Sequence, residues 1–313
     1  MNTFPGLLSK QLKCSPIKRK IGGFTLIELL VAMILAALVI TPLLGFMVNI
    51  LDTDRREQAK VNSEQEIKTA LEYIRRDLKQ SVYIYDADGI KAIRSQLPQY
   101  ANKDNYFPVL VFWKRQFIPQ GLEIATGQID DTFAYSLVAY YLIKDDDATW
   151  SNAARIGRFQ ISNGYGKDST EINNTRDAGF QMFELEGEGN LETKMNAWTK
   201  KDDEAYTQQV LTLVDYIDQT QIGTNNLAPT CSNNYQLIPE FSTGTEDSVA
   251  TGEVRTRGFY VCVDTPDTVA EVYIRGNAVA RIQNNNLDFN DSKKSYFPQV
   301  RTTVEGRGFL FTK

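Results

Sequence analysis

The run Gly22-Gly23-Phe24-Thr25-Leu26-Ile27-Glu28-Leu29-Leu30-Val31 opens an apolar segment that reaches Leu51. Within that segment only Thr25, Glu28, Thr41 and Asn49 are clearly polar, and Glu28 alone is charged. As a helix, residues 24–51 rise roughly 42 Å, enough to cross a hydrocarbon core of about 30 Å. A transmembrane helix is therefore expected. An ionised side chain inside such a span costs a few kcal/mol and calls for a partner. Were the chain cut after Gly23, the new amino group of Phe24 would supply one. It would lie one helical turn before Glu28, and equally near the Glu28 of a laterally packed copy. Any offset between copies would leave a buried charge unpaired, which makes the pair a register device.

Residues 1–23 hold Lys10, Lys13, Lys18, Arg19 and Lys20, no acid, and the helix breakers Pro5 and Pro16. They read as a leader that is removed. Lys18, Arg19 and Lys20 precede the span, whereas Asp52, Asp54, Arg55, Arg56 and Glu57 follow it. This asymmetry places the amino end in the cytoplasm and the bulk of the chain beyond the membrane. The basic leader, the glycine before the cut and Phe24-Thr25-Leu26-Ile27-Glu28 resemble the type III signal of type IV pilins and pseudopilins. The resemblance implies a prepilin peptidase/methyltransferase that cleaves Gly23–Phe24 on the cytoplasmic side and methylates the Phe24 amine. An ordinary Sec signal peptide would instead put its cut after the apolar run, at a small-x-small site.

The same resemblance implies the other partners. Subunits wait in the inner membrane, in contact with lipid. A cytoplasmic ATPase acting on a membrane assembly platform then adds them to a filament of other pilins or pseudopilins. Pro42 removes a backbone donor and crowds the carbonyl of Leu38, and Gly45 follows it. A kink or locally melted turn is expected there, as in the family when subunits leave the bilayer, against the alternative of a harmless membrane-helix proline.

The chain has 313 residues and a net charge of −5. The leader takes five of the 34 bases, leaving 29 against 39 acids, a net charge of −10. An acidic exported part argues against nucleic acid as a partner. There is no histidine, which removes Ser-His-Asp and Cys-His catalysis and His-ligated zinc. Carboxylate chemistry needs two acids roughly 5 to 10 Å apart, and no motif marks such a pair. No catalytic residue, cofactor or metal is assigned. Of the three cysteines, Cys14 lies in the leader. Cys231 and Cys262 remain in the exported part, where a disulfide closing a loop of about 30 residues would be worth roughly 3 kcal/mol; the alternative is two free thiols.

Beyond the span, Ile67, Leu71, Ile74 and Leu78 make one helical stripe, and Glu64–Lys68 and Glu72–Arg76 are favourable i,i+4 pairs. An amphipathic continuation over 52–80 is expected, followed by an extracytoplasmic β-rich domain over 81–313. Strands are predicted over 81–85, 109–114, 134–143, 153–161, 210–217, 259–263, 271–275 and 296–302, where Val, Ile, Tyr and Phe dominate. The fold class is α+β, a long N-terminal helix packed on a mainly antiparallel sheet. Residues 162–207 and 219–257 read as long loops, either functional surface or weakly ordered. Tyr73-Ile74-Arg75-Arg76-Asp77-Leu78 resembles the end of the helix in larger minor pilins. Residues 272–281 look like the C-terminal part of pseudopilins of the cyanobacterial hormogonium polysaccharide secretion system.

Asp145-Asp146-Asp147 and Asp86-Ala87-Asp88-Gly89 could ligate calcium, but lack EF-hand spacing and read more simply as solvated turns. Trp113, Trp150, Trp198, Tyr140, Tyr141 and Tyr165 could stack on a secreted polysaccharide. Aromatics in strands are more often core, which fits Trp113, whereas Trp150 and Trp198 sit in polar surroundings that favour exposure. The leading function is a minor pilin or pseudopilin of a type IV pilus-like or type II secretion-like filament, supporting polysaccharide secretion or motility. The alternative is a membrane-tethered glycan-binding or adhesin module that uses only the export route.

Overall fold

The computed structural model describes residues 22–125, 128–165, 176–224, 226–232, 235–242, 244 and 246–308, so most of the expected leader lies outside the described residues. The chain divides after Thr53 into two compact units. In the first, helix α1 (Leu26–Leu78) begins, and every described residue up to Thr53 is exposed.

The second unit opens with the rest of α1. Ala59, Ser63, Ile67, Ala70, Leu71, Ile74, Asp77 and Leu78 are buried, so the stripe legible in the sequence extends toward the N-terminus through small residues. Glu64 pairs with Lys68 at 2.5 Å, but Glu72 turns to Arg75 at 3.1 Å. The expected partner, Arg76, lies over the Tyr73 ring instead.

Five strands follow as one antiparallel sheet in the order β1-β2-β3-β4-β5: β1 (Ser81–Ile84), β2 (Tyr106–Ala125), β3 (Gln128–Ile143), β4 (Ala154–Ser162) and β5 (Leu211–Ile217). A four-stranded antiparallel sheet holds β6 (Gln236–Ile238), β7 (Phe259–Asp264), β8 (Val269–Arg275) and β9 (Gln299–Glu305), in that order. This is the α+β, pilin-like arrangement of a long N-terminal helix and a mainly antiparallel sheet domain. Three differences from expectation stand out. β2 and β3 are far longer than the apolar segments that marked them. β6 was not foreseen. β9 starts at Gln299 because Asp291–Tyr296 forms a 3-10 turn.

Two short helices also escaped the sequence reading. Asp86 caps α2 (Ala87–Ile93), its Oδ1 accepting the Gly89 N–H at 2.9 Å. Asn190 caps α3 (Leu191–Asn196) through the Thr193 N–H at 2.8 Å. A side-chain acceptor here satisfies a backbone donor that the helix start leaves free.

One face of the five-stranded sheet meets α1 and the other is covered by chain that reads as loop. Trp113 is fully buried at the centre of that second layer, 4.9 Å from the Phe183 ring and 5.9 Å from those of Phe180 and Trp198. Its Nε1 donates to the Tyr85 hydroxyl at 3.1 Å. The described part of 162–207 is thus core-forming, and Val249, Ala250 and Val254 do the same for 219–257.

The two sheets are stitched end to end. Asp218 N donates to Arg275 O at 2.9 Å and Asn277 N to Tyr216 O at 2.7 Å. Gly258 is required here, because a Cβ on it would sit 2.1 Å from the Asp218 carbonyl oxygen. Under the seam, buried Arg275 donates through Nε to Asp218 Oδ2 at 2.6 Å. Gly276 lets α1 approach: a Cβ there would lie 3.3 Å from Ile67. Cys231 and Cys262 are disulfide-bonded, which ties the segment before β6 to the middle of β7.

The end of α1 is fixed by Asp77. Its carboxylate accepts Lys114 Nζ at 2.8 Å from β2, the Tyr140 hydroxyl at 2.7 Å from β3 and Arg158 Nε at 2.9 Å from β4. Burial alone would raise its pKa, but Arg158, Lys114 and Tyr140 together outweigh that and hold it below the ordinary carboxylate value.

Asp77→Asn leaves buried Lys114 and half-buried Arg158 without their counter-charge and should lower unfolding free energy by about 3 kcal/mol in urea denaturation of the detergent-solubilised chain. A depressed folded pKa means that the ionised Asp77 stabilises fully above the unfolded value of about 3.9 and progressively less as pH falls below it. The variant should therefore lose part of the wild-type acid sensitivity below about pH 4. Replacing both Cys231 and Cys262 by Ser should cost roughly 3 kcal/mol in the same assay, and a reductant should reproduce the loss in the wild type.

Candidate functional site

The segment singled out by the sequence starts at Gly22. Residues 22–25 precede the helix, and α1 begins at Leu26 with Thr25 as its cap. The Glu28 N–H donates to Thr25 Oγ1 at 3.3 Å. In return Glu28 Oε2 accepts the Thr25 hydroxyl at 3.3 Å and the Thr25 N–H at 3.4 Å. This reciprocal pairing is a capping box, in which a Thr-x-x-Glu spacing satisfies donors at the helix start from both sides. The spacing was present in the opening stretch and gives Glu28 a local role that the charge argument overlooked. A carboxylate in the first turn also meets the positive end of the helix dipole.

Phe24 is 82 % exposed, and all of residues 24–51 are exposed, Glu28 among them. The helix is long and apolar enough to cross a membrane. An exposed apolar surface of this extent marks a lipid or protein contact. Here α1 runs on through Pro42 and Gly45. The hydroxyl of the preceding Thr41 donates to the Ala37 carbonyl at 2.8 Å.

The remaining candidates are not brought together. Trp198, expected at the surface, is 4 % exposed, and its Nε1 donates to Gln181 O at 2.8 Å. Trp113, Tyr140 and Tyr141 are likewise core, which leaves Trp150 and Tyr165 as the exposed members of the proposed sugar-stacking set. The acidic stretches are held by protein donors. Asp86 is spent on capping α2. Asp145 accepts both Arg155 Nη atoms at 2.6 and 2.8 Å and the Tyr106 hydroxyl at 2.7 Å. Burial would raise the Asp145 pKa, but Arg155 and Tyr106 outweigh it and bring it to about 2. Among the described residues no three His, Cys, Asp or Glu side chains gather as a metal site.

One further surface stands out, which the sequence did not signal. Past Gln116 and Ala134, β2 and β3 leave their neighbours and continue as a two-stranded ribbon, with a register shift between Ile118 and Leu122. Phe117, Leu122, Ile129 and Phe133 are exposed on it. Among the described residues no further strand pairs with either outer edge of this ribbon, and an open edge is a common template for association.

No curated protein and no solved structure matches the chain. Residues 18–44 match the family described as the prokaryotic N-terminal methylation motif, which supports a type IV pilin-like protein.

Proposed function

We propose that this chain is a structural subunit, not an enzyme, of a type IV pilus-like or type II secretion-like filament. In this reading it is exported as a single-pass precursor with its amino end in the cytoplasm. A prepilin peptidase/methyltransferase cuts Gly23–Phe24 and methylates Phe24. The apolar helix then holds the subunit in the inner membrane until a platform and its ATPase add it to other pilins or pseudopilins. The observation that carries the reading is one carboxylate, Glu28, in the first turn after the motif glycine, at the head of an apolar helical segment exposed throughout residues 24–51. The methylation motif supports processing and assembly with other pilins. The β2–β3 ribbon supports lateral contact in a filament, and a role in polysaccharide secretion or motility is the finer part of the proposal.

In assembly Glu28 pairs with the Phe24 amine of its own or a neighbouring subunit. Pro42 and Gly45 are the place where the helix bends on leaving lipid.

The capping box supplies a sharp test. Glu28→Gln keeps the cap, because glutamine serves equally at this position, but removes the charge. Glu28→Val removes both. Both variants should be cleaved at Gly23, read by N-terminal mass spectrometry. Both should also be depleted at least tenfold from sheared filaments, since an unpaired charge in lipid costs a few kcal/mol. Normal incorporation of Glu28→Gln with loss of Glu28→Val would assign Glu28 to capping alone and end the charge-pairing account.

A further inference from the structure

The outer face of the four-stranded sheet carries a cationic hollow of about 330 Å³, lined by Arg257, Tyr260, Tyr273, Arg275, Gln299 and Arg301 with the backbone of neighbouring residues. Its position follows from strand register. Tyr260, Tyr273 and Arg301 stand side by side across β7, β8 and β9, and Arg275 and Gln299 form the next row on the same face. The Tyr260 and Tyr273 rings are stacked, 4.6 Å apart and 6° from parallel.

Charge is concentrated here against the sign of the chain, whose net charge is −5. Arg275 is already neutralised by Asp218 and held by Asn226 at 2.9 Å, which makes it a rigid wall. Arg257 donates to the Leu227 carbonyl at 3.2 Å, and Arg301 is exposed. Among the described residues neither Arg257 nor Arg301 forms an ion pair. The nearby Glu271 accepts the Tyr273 hydroxyl at 2.8 Å. Burial pushes the Tyr260 hydroxyl pKa up against the opposing pull of Arg257, Arg275 and Arg301, so all three guanidinium groups act on this one ring.

We infer that this hollow binds a sugar ring bearing a carboxylate, one unit of an acidic glycan. A guanidinium fork matches a carboxylate through two parallel hydrogen bonds. Tyrosine offers apolar surface to a ring together with a hydroxyl, and Gln299 adds an amide that can serve the hydroxyls of a sugar. The hollow falls at the lower end of the usual size for small-ligand sites. Its concavity favours an inserted ring over the side chain of an acidic protein surface. The site is independent of the membrane helix and of filament entry.

Titration calorimetry on the detergent-solubilised full chain tests the inference, with trigalacturonate as the probe and maltotriose, sodium acetate and hexaglutamate as comparison ligands. Trigalacturonate should bind, maltotriose should bind at least tenfold more weakly, and Arg301→Gln should weaken trigalacturonate about tenfold. Arg301 is exposed, so this variant should unfold at the wild-type temperature. Tyr273→Leu should also weaken trigalacturonate, which a purely ionic contact would not require. Equal binding of trigalacturonate by wild type and Arg301→Gln, or no binding at all, overturns the proposal. Acetate matching trigalacturonate would reduce the hollow to an adventitious ion site, and tighter hexaglutamate would assign it to an acidic protein segment. Either result would also overturn it.

Discussion

A single buried carboxylate fastens the helix to the sheet. Asp77 sits on the last turn of α1 and collects donors from β2, β3 and β4, so one side chain reads the relative position of four elements. The arrangement is demanding. Two cations and a carboxylate lose their water together, and only good geometry compensates for that loss. The reward is uniqueness of placement. A slip of α1 by one turn would retain much of the apolar stripe but would strand Lys114 and Arg158. Apolar contact alone would tolerate several positions of a helix on a sheet; the Asp77 cluster accepts one.

Much of this was legible in the residues. The stripe from Ile67 to Leu78 predicted which face of α1 is buried, because the 3.6-residue period survives any detail of the partner surface. Strand existence was readable for the same reason, from dense Val, Ile, Tyr and Phe. Asp77 was not readable as a hub, since its partners lie 37, 63 and 81 residues away and nothing in the local sequence announces them. The extensions of β2 and β3 were missed because Arg115-Gln116-Phe117-Ile118-Pro119-Gln120 has the composition of a turn, and only cross-strand pairing makes it a strand. Trp198 misled for a related reason: polar neighbours surround it in sequence, while in space its ring meets Trp113 edge-on and its Nε1 reaches the Gln181 carbonyl.

The N-terminal segment was the reverse case. Its reading came from order rather than composition, since glycine, phenylalanine, threonine and glutamate count only at those positions. The structure adds that the same spacing starts the helix. Thr25 and Glu28 cap α1 while the bond at Gly23–Phe24 is intact, so the carboxylate has a partner before any cut is made. A free amine on Phe24 would place a positive charge at the positive end of the helix dipole, and Glu28 would then offset both.

The second unit grips its portion of α1 at two levels. Near the C-terminal end the grip is Asp77. Fourteen residues earlier it is Arg281, which follows β8, lies 3.9 Å over the Tyr216 ring, donates to Ser63 Oγ at 2.8 Å and pairs with Glu66. The two fastenings are roughly 21 Å apart along the helix axis and belong to different sheets, themselves joined at the Asp218–Arg275 seam. Tension applied along this stretch of helix is thereby divided between both sheets, and neither can be peeled away without straining the weld between them.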